Sequence, residues 1–175
     1  MPREIFTIGH SNRTLEEFLE LLQAHAIEQL ADVRRFPASR AHPHFNGEAL
    51  SARLAPAGVA YRHFPALGGR RSKRPADSPN VGWRVESFNR YADYMATADF
   101  AAGLDSLADF AAVKRSAMMC SEAVPWRCHR RLIADALIVR GWQVFDILSR
   151  SPAQPHSLTP FAQVVGPRLI YPAEA

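Results

Sequence analysis

The chain has 175 residues, 47% hydrophobic and 22% charged, with a formal net charge of +4, a balance typical of a compact domain with its own core. No apolar run approaches the roughly 20 residues needed to cross a bilayer, and MPREIFTIGH carries no apolar signal core before the first strand-like segment. Neither a membrane span nor a cysteine-rich secreted scaffold is expected, and the two cysteines are expected as reduced thiols at a cytoplasmic address.

In chain order, EIFTIG reads as a short buried strand ending in the turn GHSN. Thr14 and Glu17 form a capping-box pattern at the head of the helix TLEEFLELLQAHA, where Leu15, Phe18, Leu19 and Leu22 recur at helical spacing. QLADVRR is a second strand, with Asp32 and Arg34 on one face. GEALSARLAPAG reads as a short helix stopped by Pro56 and Gly58, and VAYRHF as a third strand. The stretch PALGGRRSKRPADSPNVGW is a long loop, of the length at which function or disorder comes into question. ESFNRYADYMAT and ADFAAGLDSLADFAAVK are helical runs, and SAMMCSE is a fourth strand suited to the centre of a covered sheet. CHRRLIADALIVRG is a helix closed by Gly141, and WQVFDIL is a fifth strand.

Strands alternating with helices predict an α/β fold: a single three-layer domain with a mainly parallel sheet flanked by helices. The expected division is one α/β domain over residues 1–150 and a proline-rich tail over 151–175, packed on the domain or trailing from it. In such folds the carboxyl ends of the strands border the ligand crevice. His10 and Ser11 follow the first strand, Asp32 and Arg34 close the second, and Cys120 and Glu122 close the fourth.

These residue types suit several chemistries. Cys128 and His129 head a helix that Pro125 helps start, and a helix amino end favours anions and thiolates. Arg127, Arg130 and Arg131 add to that field, which makes a reactive cysteine reasonable; simple packing of a buried cysteine is the alternative. Glu122 suits a general acid or base, and Asp32 is either a second such group or a structural partner of Arg34. A phosphatase-type loop fits poorly, since six residues separate Cys120 from Arg127 and Pro125 removes a backbone donor. Cys120, Cys128, His129 and His10 hold zinc-type donor atoms, but adjacent ligands rarely face one metal and no C-x-x-C occurs. No metal or other cofactor is predicted. Lys73 and Lys114 are the only lysines, so the positive charge is carried by arginine, which suits two-pronged contact with phosphate. Arg70, Arg71, Lys73 and Arg74 cluster in the long loop, as a footprint for a polyanion or as a solvated loop without a partner.

Taken in order, TIGHS at Thr7–Ser11, DVR at Asp32–Arg34 with Pro37 and Ser39, LGG at Leu67–Gly69, YADYM at Tyr91–Met95, and MCSE followed by CHR between Met119 and Arg130 resemble the bacterial and archaeal family catalogued as domain of unknown function 488. The resemblance runs from about Ile5 to Leu148. It implies a site drawn from His10, Ser11, Asp32, Arg34, Gly68, Gly69, Cys120, Glu122, Cys128, His129 and Arg130, and supplies no established reaction. Relatives often carry a histidine in the last strand, where VFDI here has Asp146.

The resulting expectation is an enzyme acting on a phosphate-bearing substrate, a nucleotide or nucleic acid. Cys120, Glu122, Cys128, His129 and Asp32 are the catalytic candidates. His10, Ser11, Arg34, Ser39, Gly68, Gly69, Tyr94 and Arg130 are the substrate-holding ones. The alternatives are a non-catalytic nucleic-acid-binding module centred on Arg70–Arg74, and a redox sensor using the two thiols. The expected partner is an anionic small molecule or nucleic acid, with no membrane involved.

Overall fold

The computed structural model describes residues 3–69 and 74–173. Its main sheet contains β1 (Glu4–Gly9), β2 (Gln29–Asp32), β3 (Ala60–His63), β4 (Ser116–Cys120), β5 (Gln143–Asp146) and β6 (Gln154–Pro155), in the order β3-β2-β4-β1-β5-β6. β1 to β5 run parallel, and β6 adds an antiparallel edge. The helices are α1 (Leu15–Ala24), α2 (Gly47–Leu54), α3 (Glu86–Tyr94), α4 (Ala98–Val113) and α5 (Arg130–Val139).

Successive strand residues point to opposite faces, and both faces are covered. Phe6, Ile8, Leu30 and Met119 pack with Phe18 and Leu22 of α1 and Leu50 of α2. Ile5, Ala31, Met118 and Cys120 pack with Tyr91 of α3, Leu107 of α4 and Leu132 of α5. Two covered faces explain why β1 and β4 are almost continuously apolar. The protein is thus a three-layer α/β domain with a mostly parallel sheet.

Local boundaries follow side-chain chemistry. α1 opens at Thr14 with both hydrogen bonds of the capping box formed. β2 stops at Asp32, short of the arginines, because Asp32 Oδ1 accepts the Arg34 backbone N–H at 3.1 Å and bends the chain. α5 begins at Arg130 rather than Cys128, since residues Pro125–Arg127 form a 3-10 turn and leave Cys128 extended.

The last residues turn back onto the domain. β6 pairs with β5, and the β7 (Gln163–Val165) and β8 (Arg168–Ile170) hairpin leads to Tyr171. Tyr171 is fully buried, and its carbonyl accepts the Val81 and Gly82 N–H groups.

Strand order sets where a ligand can sit. The chain leaves β1 and β2 through α1 and α2 on one face, and leaves β4 through α5 on the other. β4 lies between β1 and β2, so connections diverge on either side of its carboxyl end and open a crevice there. The segment after β4 crosses close over the end of β1: a Cβ added at Gly9 would lie 1.5 Å from the Glu122 carbonyl oxygen. Only a residue without a side chain permits that crossing.

Gly9→Ala therefore forces the 121–123 segment outward. It should destabilise the protein by about 2 kcal/mol or more, a cost typical of overpacking, and lower Tm by roughly 4–8 °C. A thermal melt within a degree of wild type would contradict this packing.

Candidate active site

The crevice encloses a cavity of about 600 Å³ whose wall includes His10, Arg34, Ser39, Gly69, Cys120, Glu122, Cys128 and His129. Most of the residues expected at the site thus converge from four separate chain segments.

The β1–β4 ladder continues past the strand ends. His10 N–H donates to the Cys120 carbonyl at 3.0 Å and Ser11 N–H to the Ser121 carbonyl at 2.8 Å, with Ser11 at φ 49°. This fixes the His10 ring over Phe45, with ring centroids 4.5 Å apart. His10 Nδ1 lies 2.8 Å from the Ser11 carbonyl and so carries the proton, leaving Nε2 toward Arg34 Nη1 at 3.4 Å. Burial, helped by the Arg34 charge, lowers its pKa to about 4 against the pull of that carbonyl, so His10 is a neutral wall residue at neutral pH.

Asp32 is fully buried and is absent from the cavity wall. Its Oδ1 accepts Arg34 Nε at 2.9 Å, and its Oδ2 accepts Arg34 Nη2 at 2.7 Å and the Tyr61 hydroxyl at 2.5 Å. A carboxylate committed to a two-pronged arginine and a phenol has no lone pair turned toward substrate. These contacts place Asp32 as a structural partner of Arg34, one of the two readings the sequence leaves open. Burial and the Asp32 charge push the Tyr61 hydroxyl well above its ordinary range, so it stays a donor. Arg34, thus clamped, also donates to the Phe45 carbonyl at 2.7 Å.

On the other side of the sheet end, His129 Nε2 lies 2.9 Å from the Val33 carbonyl and donates to it, so the bare Nδ1 faces Cys128 Sγ at 3.6 Å. Burial lowers the His129 pKa and the Arg130 charge adds to that, which keeps the ring neutral.

Arg130 is the least expected finding. Its side chain has no exposed surface. Nη1 donates to Cys120 Sγ at 2.8 Å and to the Glu122 carbonyl at 2.5 Å, and Nη2 donates to the Ala123 carbonyl at 3.2 Å. Nε has no partner among the described residues. Burial pulls its pKa down to about 10, against the charges of Asp146 and Glu122, so it remains a cation at neutral pH. No carboxylate stands within ion-pair distance of it among the described residues. Arg130 is absent from the cavity wall and meets it through Cys120 and Glu122.

The Cys120 and Cys128 sulfurs meet at the floor of the crevice, with Cα atoms 7.2 Å apart. The turn at 125–127 folds Cys128 back over the end of β4 and brings the pair together, which sequence spacing alone does not show.

The remaining expected residues separate clearly. Gly68 packs against Arg35, where a Cβ would lie 2.4 Å from that residue's Cα, and does not line the cavity. Ser11 lies on the turn outside the wall. Tyr94 donates to the Ala66 carbonyl at 2.5 Å, and it is Tyr91, three residues earlier on α3, that reaches the cavity. Arg35, Arg127 and Ser121 also line it without having been singled out as substrate contacts. Arg35 and Arg127 are exposed, with no carboxylate at ion-pair distance among the described residues. Their only sequence signal was position after a strand end or inside the cysteine segment.

Of the basic loop, 70–73 fall outside the described residues. Arg74 is bound to Asp93 at 3.1 Å and Glu86 at 2.8 Å, so it is not a spare cation. No group of three or more histidine, cysteine or acidic side chains gathers as a metal-ligating cluster among the described residues. No described helix is long and apolar enough to cross a membrane.

Asp146, at the end of β5, is met by a histidine from the tail. Thr7 donates to Asp146 Oδ1 at 2.6 Å, and His156 bridges Asp146 Oδ2 at 3.0 Å and Asp135 Oδ1 at 3.3 Å. Tyr171 donates to the other Asp135 oxygen at 2.8 Å. Burial lowers the His156 pKa, but the hydrogen bonds and charges of the two aspartates outweigh it and raise it to about 9.

Fold and site together define an open-sheet α/β protein whose strand-end crevice is floored by a cysteine pair and a buried arginine. The chain belongs to the family described as Domain of unknown function DUF488, which it matches over residues 14–137. No curated protein and no solved structure matches it.

Three perturbed histidines, His10 and His129 with lowered pKa and His156 with a raised one, give stability a maximum near neutrality. His156 binds its proton more tightly when folded, so its contribution is complete below about pH 6.5 and is lost as pH rises through about 9. His10 resists protonation when folded, so stability also falls as pH drops from about 6.5 toward 4. In melts across that range, His156→Gln should flatten the decline between pH 6.5 and 9 and leave the acid limb unchanged. An unaltered alkaline limb would show that the bridge carries no stability.

Proposed function

We propose that this protein is an enzyme acting on a phosphate-bearing substrate, a nucleotide or a nucleic acid, with Cys120 as its nucleophile. One observation carries the reading. A fully buried guanidinium cation donates to Cys120 Sγ at 2.8 Å and has no carboxylate at ion-pair distance among the described residues. A buried charge is costly unless paired, and the reduced Cys120 thiolate is the counter-anion at hand. Such a thiolate persists at neutral pH and is nucleophilic.

The substrate's orientation follows from where charge is exposed. Arg35 and Arg127 are solvent-facing cations on the wall, and the cysteines are at most 4% exposed. The phosphate therefore meets the arginines at the mouth and the reacting atom reaches down to Cys120. The carbonyls of Glu122 and Ala123 point at Arg130, so no ring of amides surrounds Cys120 as in a cysteine phosphatase. Phosphate recognition is thus separate from the attacked centre. Cys120 Sγ forms a bond to that centre, and the leaving group departs with the electron pair of the broken bond; water then attacks the same centre and expels the Cys120 thiolate, which closes the cycle. Glu122, the one carboxylate on the wall among the described residues, handles the leaving group's proton.

Turnover assays with nucleoside monophosphates and a short single-stranded oligonucleotide test the reading. Cys120→Ser should cost at least about a thousandfold in kcat, as loss of a nucleophile does, measured at a temperature where circular dichroism shows the variant still folded. Arg35→Ala and Arg127→Ala should each raise KM by about tenfold with kcat preserved, the mark of lost ground-state binding. Turnover that survives iodoacetamide treatment of the reduced protein would rule out Cys120 as nucleophile. Binding of the same probes without turnover would leave a binding protein.

A further inference from the structure

We infer that the Cys120–Cys128 pair is a working dithiol–disulfide couple that exchanges with low-molecular-weight disulfides bearing carboxylate groups. This activity rests on the same Cys120 nucleophile as the proposed enzyme but needs no phosphate-bearing substrate, so failure of turnover with the phosphate-bearing probes leaves it standing.

Three features carry it. First, the bond joins residues eight apart, and both sulfurs border a cavity of about 600 Å³. A small disulfide therefore has access to them, which a purely structural staple does not require. The segment is in any case tied down by the Arg130 contacts to Glu122 and Ala123 and by the His10 and Ser11 amides, so the bond is not what holds it in place.

Second, the two sulfurs have different surroundings. Cys120 Sγ receives the charged Arg130 Nη1 at 2.8 Å. Cys128 Sγ has the neutral His129 Nδ1 at 3.6 Å and a backbone N–H, that of Arg130, at 3.4 Å. The first environment holds a standing thiolate, and the second a thiol with a base beside it. That is the division of labour exchange requires, since the thiolate attacks and a second thiol closes the ring.

Third, the charge balance favours reduction. In the oxidised pair Arg130 faces a sulfur without charge, whereas reduction returns an anion to a buried cation. The reduced form is thereby stabilised, which makes the disulfide a better oxidant.

The steps balance. Cys120 thiolate attacks one sulfur of R–S–S–R, forming the mixed disulfide Cys120–S–S–R and releasing RS⁻. Cys128 then attacks Cys120 Sγ as its proton passes to His129 Nδ1. The Cys120–Cys128 bond forms, a second RS⁻ leaves, and it takes up that proton. The first RS⁻ takes a proton from solvent. The dithiol has lost two electrons and R–S–S–R has gained them. The reverse sequence, driven by excess thiol, restores the dithiol. The carboxylates of the small disulfide match the exposed Arg35 and Arg127 on the same wall.

Glutathione disulfide is the probe, and intact-protein mass spectrometry is the readout, with the full reduced chain as starting material. Wild type should pass to a closed disulfide, two hydrogens lighter, without holding glutathione. Cys128→Ser should accumulate one glutathione on Cys120. Cys120→Ser should react at least tenfold more slowly. Attachment that begins at Cys128, a Cys120→Ser variant as fast as Cys128→Ser, or a wild-type chain that never closes each overturns the proposal. In glutathione redox buffers, folded Arg130→Met should have a more negative midpoint potential, by about 30 mV for each tenfold shift in the equilibrium, and Arg130→Lys should restore part of it. An unchanged midpoint in folded Arg130→Met removes the charge argument. If that variant fails to fold, the Cys128→Ser trap still decides the order of attack.

Discussion

A guanidinium with no exposed surface has to satisfy itself inside the fold, and the crevice is built around how Arg130 does so. It draws the carbonyls of Glu122 and Ala123 inward and sets its remaining donor on Cys120 Sγ. Removing a charged group from water costs several kcal/mol even after relaxation, so the loop is not free to take another shape. The course of that loop in turn requires Gly9, because the Glu122 carbonyl occupies the space a Cβ would fill. A single buried cation thus links the head of α5, the tip of β4 and the end of β1.

The opposite wall uses the same principle with a different outcome. Arg34 is also buried, but it is neutralised by Asp32 through paired contacts at 2.9 and 2.7 Å. Its charge is spent within the protein, and it acts as a rigid post that holds the Phe45 carbonyl and borders His10. Of two buried arginines at neighbouring strand ends, one is closed electrostatically and the other is closed only when a thiolate is present. Both neighbouring histidines are kept neutral by burial next to these cations, so neither competes as the counter-charge.

Much of the scaffold was legible in the sequence because its signals are local. The capping box at Thr14, the apolar runs of β1 and β4 and the stripe of α1 each appear where periodicity puts them. Convergence of His10, Arg34, Cys120 and His129 was also legible, since parallel strands deliver their carboxyl ends to one edge. What sequence could not resolve depends on which way a side chain turns. Asp32 lies in the expected place but faces Tyr61 and Arg34. Tyr91 and Tyr94 share one face of α3, and only packing against Ala66 and Leu67 decides that the first reaches the cavity. The role of His156 was out of reach because nothing local ties residue 156 to Asp146 and Asp135; that contact exists only because β6 folds back against β5.

The assignment of roles to the two sulfurs rests on a comparison of fields. A helix amino end concentrates about half a positive charge, contributed by several amides, but α5 begins only at Arg130 and gives Cys128 a single N–H at 3.4 Å. Cys120 receives a full formal charge at 2.8 Å in a dry setting, where screening is weak and the interaction correspondingly strong. The side chain of Arg130 therefore outweighs the helix that carries it. In the proposed exchange the residue at the strand tip is the anion and the residue nearer the helix the thiol, the reverse of what a helix-dipole argument from sequence alone would assign. Because His129 is neutral with Nδ1 turned to Cys128, the proposed exchange has a base beside the second sulfur when a bond to Cys120 is forming.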